Sequence, residues 1–216
     1  MSNPRIAPFD DFTARYDRWF ETHSSVYGSE LLALRELVPP SSRGVEIGVG
    51  SGRFAVPLSV KFGVEPAVKM ARIARERGIG VIRGLAEALP LADSINDLAL
   101  MITTVCFVSD LGASFEEVRR VLIPRGTFVV GFIDRESVLG QRYEESKAEN
   151  PFYRAATFRG ADEILELLEG SGFGKFQIRQ TIFEDISEID SLEEPRKGYG
   201  EGSFVAMRAE AIPGKL

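Results

Sequence analysis

One glycine-rich stretch constrains the fold of this chain more than any other: Gly44-Val45-Glu46-Ile47-Gly48-Val49-Gly50-Ser51-Gly52. Its apolar, β-branched Val45 and Ile47 are typical of an interior strand in a parallel sheet. Three glycines follow at alternate positions, where the missing Cβ lets the backbone turn sharply and approach a ligand. A helix that opens after them points its free N–H groups back at the turn. The stretch therefore predicts a strand, a turn and a helix that cradle a polar or anionic ligand group.

The spacing of the acids and glycines narrows the kind of ligand. Glu46 precedes Gly48, Gly50 and Gly52, whereas a dinucleotide-binding fingerprint reads G-x-G-x-x-G. No Lys-Ser or Lys-Thr pair follows, so the phosphate loop of nucleoside triphosphatases is absent. A second acid, Glu65, closes the next short apolar run, seventeen residues beyond Gly48. At the end of a second strand, such an acid can accept hydrogen bonds from both hydroxyls of a ribose.

These residues resemble motif I of the class I S-adenosylmethionine (SAM) dependent methyltransferases, and Glu65-Pro66 resembles the ribose-binding acid that follows it. The resemblance extends from about residue 16 to residue 208, and it is closest to the ubiquinone/menaquinone-type methyltransferases. It implies that Glu46 orients the methionine end of SAM, that Gly48 and Gly50 lend backbone contacts, and that Glu65 holds the ribose.

A second segment, residues 84–91, resembles the G-D-A-E-x-L-P-F loop of this family, in which the acid meets the adenine amine. The acid position is Leu85 here, and this side chain can pack on adenine but cannot accept a hydrogen bond. The resemblance leaves polar recognition of adenine to the Ala86 amide and to Glu87. Thr103 follows the apolar run 97–102 and is a candidate contact of the methionine moiety.

The resemblance implies an α/β fold, a doubly wound and mainly parallel sheet of seven strands with the last strand antiparallel. A chain of 216 residues suits a single domain of this kind. We expect N-terminal cap helices over 10–40, a SAM-binding half over 41–134, an acceptor-side insertion over 135–160, and a C-terminal helix and strand hairpin over 161–216. Within these parts the patterns predict helices from residue 10, over 29–37 and over 53–59, and an acidic loop over 184–202.

Aromatic residues of the cap and of the insertion are the candidates for acceptor binding. Relatives use N-terminal helices to cover the SAM site, and loops at this edge of a sheet often carry function. The alternatives are that the cap stripe packs against the sheet edge, that the insertion is surface packing, and that the single histidine has a surface role. No general base is identified. The candidate residues are Tyr16, Trp19, His23, Phe107, Arg135, Tyr143 and Tyr153.

Composition excludes several other classes of protein. The net charge of −6 gives no basic field that would attract nucleic acid or an anionic membrane. The single Cys106 permits neither an intramolecular disulfide nor a thiolate metal cluster, and we expect no metal. No apolar run reaches the ~18 residues of a membrane span, and no signal-peptide pattern is found, so we expect a cytoplasmic protein.

The sequence therefore predicts an enzyme that moves a methyl group from SAM to a small-molecule acceptor by in-line displacement and leaves S-adenosylhomocysteine. The Asn-Pro-Pro-Tyr and Pro-Cys motifs of methyltransferases that act on nucleic-acid bases are absent. One alternative is a non-catalytic protein of the same fold that binds SAM or S-adenosylhomocysteine. Another is an NAD-type oxidoreductase, which the glycine spacing disfavours. The acceptor and the oligomeric state are not determined by these patterns.

Overall fold

The computed structural model describes residues 3–41 and 43–214. Within these residues one sheet of eight strands has the order β3-β2-β1-β4-β5-β8-β6-β7. The neighbours from β3 through β5 are parallel, while β8 runs antiparallel to both β5 and β6. The strands are β1 (Gly44–Ile47), β2 (Phe62–Val64), β3 (Gly80–Ile82), β4 (Asn96–Ile102), β5 (Leu122–Ile133), β6 (Phe173–Thr181), β7 (Arg196–Lys197) and β8 (Phe204–Ala211).

This topology confirms the predicted α/β class and the antiparallel last strand, but the predicted number of seven strands is wrong. The additional strand, β7, lies inside the segment 184–202 that we expected to be a loop. Its two residues pair with Arg179 and Gln180 of β6 at the sheet edge. A strand of two residues is too short to leave an apolar run or an alternating pattern in the sequence.

Seven α-helices surround the sheet in the described part of the chain, and Val105–Phe107 form a short 3-10 helix after β4. The α-helices are α1 (Ala7–Asp11), α2 (Thr13–Thr22), α3 (Ser24–Leu37), α4 (Val68–Glu76), α5 (Leu111–Val121), α6 (Val138–Ser146) and α7 (Ala161–Gly170). The helix predicted from residue 10 is divided at Phe12, whose φ and ψ are −118° and 28°. The helix predicted over 29–37 begins earlier, at Ser24. It includes Gly28, where a Cβ would lie 2.4 Å from Leu192 Cδ2. Because Gly28 has no side chain, Leu192 of the 184–202 segment can pack directly against the backbone of this helix.

The predicted helix over 53–59 is absent, and the chain crosses from β1 to β2 through successive turns. The backbone makes isolated helical contacts, such as the 3.2 Å bond from Val56 N to Gly52 O. Pro57 has no N–H to donate, and Ser59 adopts a left-handed φ of 61°. Because no regular helix follows the glycine turn, a helix dipole does not contribute to ligand binding at this point.

Side chains from the two faces of the sheet form two separate cores. In β5, Phe128, Val130 and Phe132 pack with α5 and α7, whereas Val129 faces the core built by α3 and α4. This alternation follows from the two-residue period of a strand. The helices α1, α2 and α3 precede the first strand, and their aromatic residues cover the edge of the sheet where β1 and β4 end.

Candidate active site

The turn after β1 is fixed directly to the neighbouring strand. The amides of Gly48 and Val49 donate to the carbonyl oxygen of Val64 at 2.8 and 3.1 Å. Gly48 has a φ of +72°, and a Cβ at this position would lie 2.5 Å from the side chain of Thr104. Gly50 also has a left-handed φ, +53°. Both positions therefore require glycine because of their left-handed backbone conformation. At Gly48 there is also no space for a Cβ.

Glu65, at the end of β2, connects this turn to the start of α4. Its two carboxylate oxygens accept hydrogen bonds from Gly50 N and from Ala67 N, each at 2.8 Å. Burial raises the pKa of Glu65 to about 7, against the effect of these two bonds. Each carboxylate oxygen has more than one acceptor position. Glu65 can therefore hold the turn and still accept hydrogen bonds from a ligand.

A cleft opens where β1, β2 and β4 end, and most of the residues predicted to bind the cofactor line it. Leu85 is 44% exposed there and forms a bridge with Ala88. One carboxylate oxygen of Glu87, Oε1, accepts a 2.8 Å hydrogen bond from Ser109 N. The predicted residues in the cleft are Gly48, Gly50, Glu65, Pro66, Leu85, Ala86, Glu87 and Thr103.

Two residues predicted to contact the cofactor, Glu46 and Gly52, do not line the cleft. Val45 and Ile47 face the α5 side of the sheet, so strand alternation turns Glu46 to the opposite side and under the turn. Burial raises the pKa of Glu46 well above its usual range, although Ala55 supplies a backbone hydrogen bond. Gly52 packs against α4, with Ala74 3.6 Å from the position of a Cβ. Both residues shape the underside of the turn.

An ion-pair network that the sequence analysis missed ties the cap to the same turn. Asp17 of α2 accepts hydrogen bonds from Ser51 Oγ at 2.7 Å, from Arg53 Nε at 2.9 Å and from Arg77 Nη2 at 2.7 Å. Burial alone would raise the pKa of Asp17, but the bonds from Arg77 and Arg53 hold it well below its usual range. The network joins α2, the glycine turn and the end of α4. These three groups lie far apart in the sequence, so no local pattern reveals the contact.

A second cavity of about 290 Å³ adjoins the cleft, with Phe9, Tyr16, Thr103 and Phe107 lining both spaces. The wall of this second cavity, here called the aromatic cavity, comes from α1, α2 and α3, from the ends of β4 and β5, from residues 139–159 and from Ile186. Five of the predicted acceptor residues line it: Tyr16, Trp19, Phe107, Tyr143 and Tyr153. Its other aromatic residues are Phe9, Phe20, Phe132, Phe152 and Phe158.

His23 and Arg135 were also predicted to bind the acceptor, and both lie outside the aromatic cavity. The His23 ring stacks on Trp19 with 4.8 Å between the ring centroids, and its Nδ1 is 3.1 Å from the Trp19 carbonyl oxygen. Arg135 forms ion pairs with Glu136 at 3.0 Å and Glu163 at 3.4 Å. His23 thus contacts Trp19, and Arg135 pairs with two glutamates, outside the aromatic cavity. The spacing of residues in the sequence does not reveal these contacts.

Glu30 is the most consequential cavity residue that the sequence analysis missed. It lies on α3, is 3% exposed and lines the aromatic cavity. Burial raises the pKa of Glu30 to about 8. A signal was present, because Glu30 continues the apolar stripe formed by Val26, Ala33, Leu34 and Leu37. A glutamate on that face of a helix is directed towards the interior.

Comparison with known proteins identifies the family. A family model described as a methyltransferase domain matches residues 45–130. A SAM-dependent methyltransferase of Thermotoga maritima, described as a possible histamine N-methyltransferase, is 47% identical. Its crystal structure gives a TM-score of 0.93 over 96% of this chain and 99% of that one. The chain belongs to the class I SAM-dependent methyltransferases.

The chain is also similar to two other proteins over most of its length. An uncharacterised protein of Methanocaldococcus jannaschii is 44% identical over 94% of this chain and 98% of its own length. A malonyl-[acyl-carrier protein] O-methyltransferase of Methylococcus capsulatus is 26% identical over 96% of this chain and 84% of its own length. The predictions of the family, of an enzyme and of SAM as cofactor are confirmed. The oxidoreductase and the non-catalytic binding protein are accordingly set aside.

The residues of the cleft fit SAM. The turn leaves no space for a Cβ at Gly48, and Gly50 brings unobstructed backbone to the cleft. Glu65 can accept ribose hydroxyls, and Leu85 and Ala86 offer an apolar surface and an amide for adenine. In residues 3–41 and 43–214, no helix of the methyltransferase is long and apolar enough to cross a membrane.

Proposed function

We propose that this methyltransferase transfers the methyl group of SAM to a small molecule held in the aromatic cavity. The observation that carries the proposal is the shared wall of the cleft and the cavity, formed by Phe9, Tyr16, Thr103 and Phe107. An acceptor in the cavity and a cofactor in the cleft would meet at this wall. Small-molecule sites are commonly concave, mainly apolar and lined by aromatic side chains, as this cavity is.

Tyr16 and Thr103 are the polar groups of the shared wall. Their side chains are hydrogen-bonded, and burial raises the pKa of the Tyr16 hydroxyl well above its usual range. The hydroxyl of Tyr16 therefore stays protonated and serves as a donor or a spacer, not as a base. Thr103 has a left-handed φ of 49°, so the backbone at the end of β4 is bent at the place where the two spaces meet.

Orientation of the acceptor relative to SAM at this wall would be the protein's main contribution to catalysis. Bound SAM supplies a methyl group on a sulfonium, which an acceptor atom takes in an in-line displacement. The protein has to orient the acceptor and exclude water, and such positioning can contribute ~7–11 kcal/mol. The rings of Phe9, Phe107 and Phe152 pack around Tyr16 or one another at centroid distances of 4.9 to 5.8 Å. These packed rings hold the shared wall in place.

The size of the aromatic cavity, about 290 Å³, supports a small molecule over a macromolecular acceptor. Arg5 extends from the N-terminal segment to donate to Cys106 O at 3.3 Å, Val108 O at 3.1 Å and Thr157 Oγ1 at 3.2 Å. Arg5 lines the cleft, so these bonds fasten the N-terminal segment beside the cleft, and a net charge of −6 offers no attraction for nucleic acid. The relative from Methylococcus capsulatus carries a name that refers to an acyl group on a carrier protein. Methyl transfer to a group on a carrier protein would contradict the proposal in the test described next.

The test is methyl transfer from isotopically labelled SAM into a cell extract, followed by ultrafiltration. The proposal predicts label in the small-molecule filtrate. Label confined to retained protein or nucleic acid would contradict it. Tyr153→Ala is a suitable variant, because Tyr153 lines the aromatic cavity and not the cleft. We expect this variant to reduce transfer into the filtrate while S-adenosylhomocysteine affinity, measured by calorimetry, stays unchanged.

A further inference from the structure

Glu30 presents a carboxyl group to the aromatic cavity, and one oxygen of this group lacks a hydrogen-bond partner. Its Oε2 is buried and has no hydrogen-bond partner among the residues that the structure describes. Protein interiors rarely leave a carboxyl group in this condition, because a buried polar group without a hydrogen-bond partner is costly, and an unpaired buried charge costs more. A ligand that supplies the missing partner would remove this cost.

The other charged residues on the cavity wall do not balance Glu30. Arg159 forms an ion pair with Glu163. Arg15 is exposed, and its guanidinium lies 6.0 Å from the centroid of the Phe152 ring. In the described part of the wall, Glu30 is therefore the acid without a cationic partner. A ligand with a positive group would supply that partner.

The rings of the cavity favour the same kind of ligand. Aromatic faces attract cations through their quadrupole, and the attraction is stronger when the cation is desolvated against them. Tyr16, Trp19 and Tyr143 line the same space as Glu30. An apolar wall with one carboxylate accommodates a molecule that has an apolar body and a single positive group. A neutral alcohol of the same shape would offer Glu30 a hydrogen bond but no positive charge, and a carboxylate would repel Glu30 in its ionised form.

We propose that the methyl acceptor is a small amine with an apolar body, and that Glu30 binds its ammonium group in the aromatic cavity. This inference rests on the proposed function, since it requires the acceptor to occupy that cavity. The Glu30 carboxylate takes a proton from the bound ammonium and exposes the nitrogen lone pair. The N–C bond then forms as the C–S bond breaks, and the electron pair of the broken bond stays on sulfur. The positive charge passes from the sulfonium to the methylated nitrogen.

The decisive experiment identifies the labelled acceptor and its dependence on Glu30. The labelled product in the filtrate is characterised by mass spectrometry, and its rate of formation is compared in the wild-type protein, Glu30→Gln and Glu36→Gln. Gln keeps the size of Glu30 and removes its charge. Glu36 is a matched control, because it lies on the same helix but faces the surface and pairs with Arg179. Calorimetry with S-adenosylhomocysteine verifies that each variant is folded.

We expect the product to be an N-methylated amine. Glu30→Gln should lower kcat/KM for that amine at least tenfold, while Glu36→Gln and the affinity of all three proteins for S-adenosylhomocysteine stay unchanged. A labelled product without a methylated nitrogen would overturn the inference and leave the proposed function intact. Unchanged kcat/KM in Glu30→Gln would do the same. Label confined to macromolecules would refute the proposed function itself, so the two failures are distinguishable.

A panel of probes gives an independent measurement in the presence of S-adenosylhomocysteine. Phenethylamine, phenethyl alcohol and phenylacetate share an apolar body and differ in the terminal group. The wild-type protein should bind the amine at least tenfold more tightly than the alcohol or the acid, and Glu30→Gln should lose this preference. Equal or tighter binding of the alcohol or the acid by the wild-type protein would contradict the role of Glu30.

Discussion

The burial of Glu30 predicts a pH-dependent difference in stability between the wild-type protein and Glu30→Gln. Burial raises the pKa of Glu30 from its usual 4.5 to about 8 in the folded protein. Between these two values the folded state holds a proton that the unfolded state has released. The stabilising contribution of this group is thus complete below about pH 4.5 and is lost as the pH rises through about 8. Gln has no such dependence.

The size of the effect follows from the pKa difference. The difference is about 3.5, and each pKa unit corresponds to about 1.4 kcal/mol, which sets an upper limit of about 5 kcal/mol. Between about pH 5 and about pH 9, the wild-type protein should lose about 4 kcal/mol of unfolding free energy relative to Glu30→Gln. The buried carboxyls of Glu46 and Glu65 titrate in both proteins, so their contributions cancel in the difference.

Urea unfolding of both proteins across this pH range measures the difference directly. The comparison uses the change with pH, because replacing a buried carboxyl by an amide also shifts stability by a constant amount. Glu36→Gln should follow the wild-type curve, since Glu36 is 46% exposed and pairs at the surface. Parallel curves for the wild-type protein and Glu30→Gln would contradict this prediction, because they would mean that Glu30 is solvated or paired.

Three further predictions concern the cleft, the cap and the aromatic cavity. Gly50→Val and Glu65→Ala should each lower S-adenosylhomocysteine affinity at least tenfold, about 1.4 kcal/mol, by placing a β-branched residue at φ +53° and by removing the ribose acceptor. Asp17→Asn should lower the unfolding free energy by about 2 kcal/mol at neutral pH. This loss should vanish in acid, since the pKa of Asp17 lies below its usual 3.8 and its contribution disappears as the pH falls. Tyr153→Phe should leave S-adenosylhomocysteine affinity unchanged and alter the KM of the acceptor.

Each of these predictions has an outcome that counts against it. Unchanged calorimetric titrations in both Gly50→Val and Glu65→Ala would remove the cofactor assignment of the cleft. Equal stability of Asp17→Asn and the wild-type protein at neutral pH would show that the network with Arg53 and Arg77 contributes nothing measurable. Loss of S-adenosylhomocysteine binding in Tyr153→Phe would mean that the cavity and the cleft are not separate binding spaces.

The fold could be predicted from the sequence wherever a local pattern determines the structure. Val45 and Ile47 before the three glycines predicted β1 and the turn, and the apolar run that ends at Ile102 predicted β4. β7 could not be predicted, because two paired residues leave no pattern. The helix predicted over 53–59 failed because Pro57 and the left-handed Ser59 prevent regular hydrogen bonding there.

The site was less predictable, because its geometry depends on contacts distant in sequence. The sequence does not reveal which face of the sheet Val45 and Ile47 occupy. Because side chains alternate along a strand, knowing that face would have shown that Glu46 points away from the cleft. Asp17 meets Arg77 across sixty positions, as a consequence of the cap folding over α4. Glu30 could have been found, since it lies on the apolar stripe of α3, but a glutamate in a helix ordinarily faces solvent.

The division of the site into a cofactor cleft and an acceptor cavity can be examined in a crystal structure of the protein grown with S-adenosylhomocysteine. We expect the ribose hydroxyls at the carboxylate of Glu65, the adenine against Leu85 and Ala86, and the sulfur at the wall of Tyr16 and Thr103, facing the aromatic cavity. Adenine or ribose inside the aromatic cavity, or a sulfur directed away from that wall, would contradict the division of the site into a cofactor cleft and an acceptor cavity.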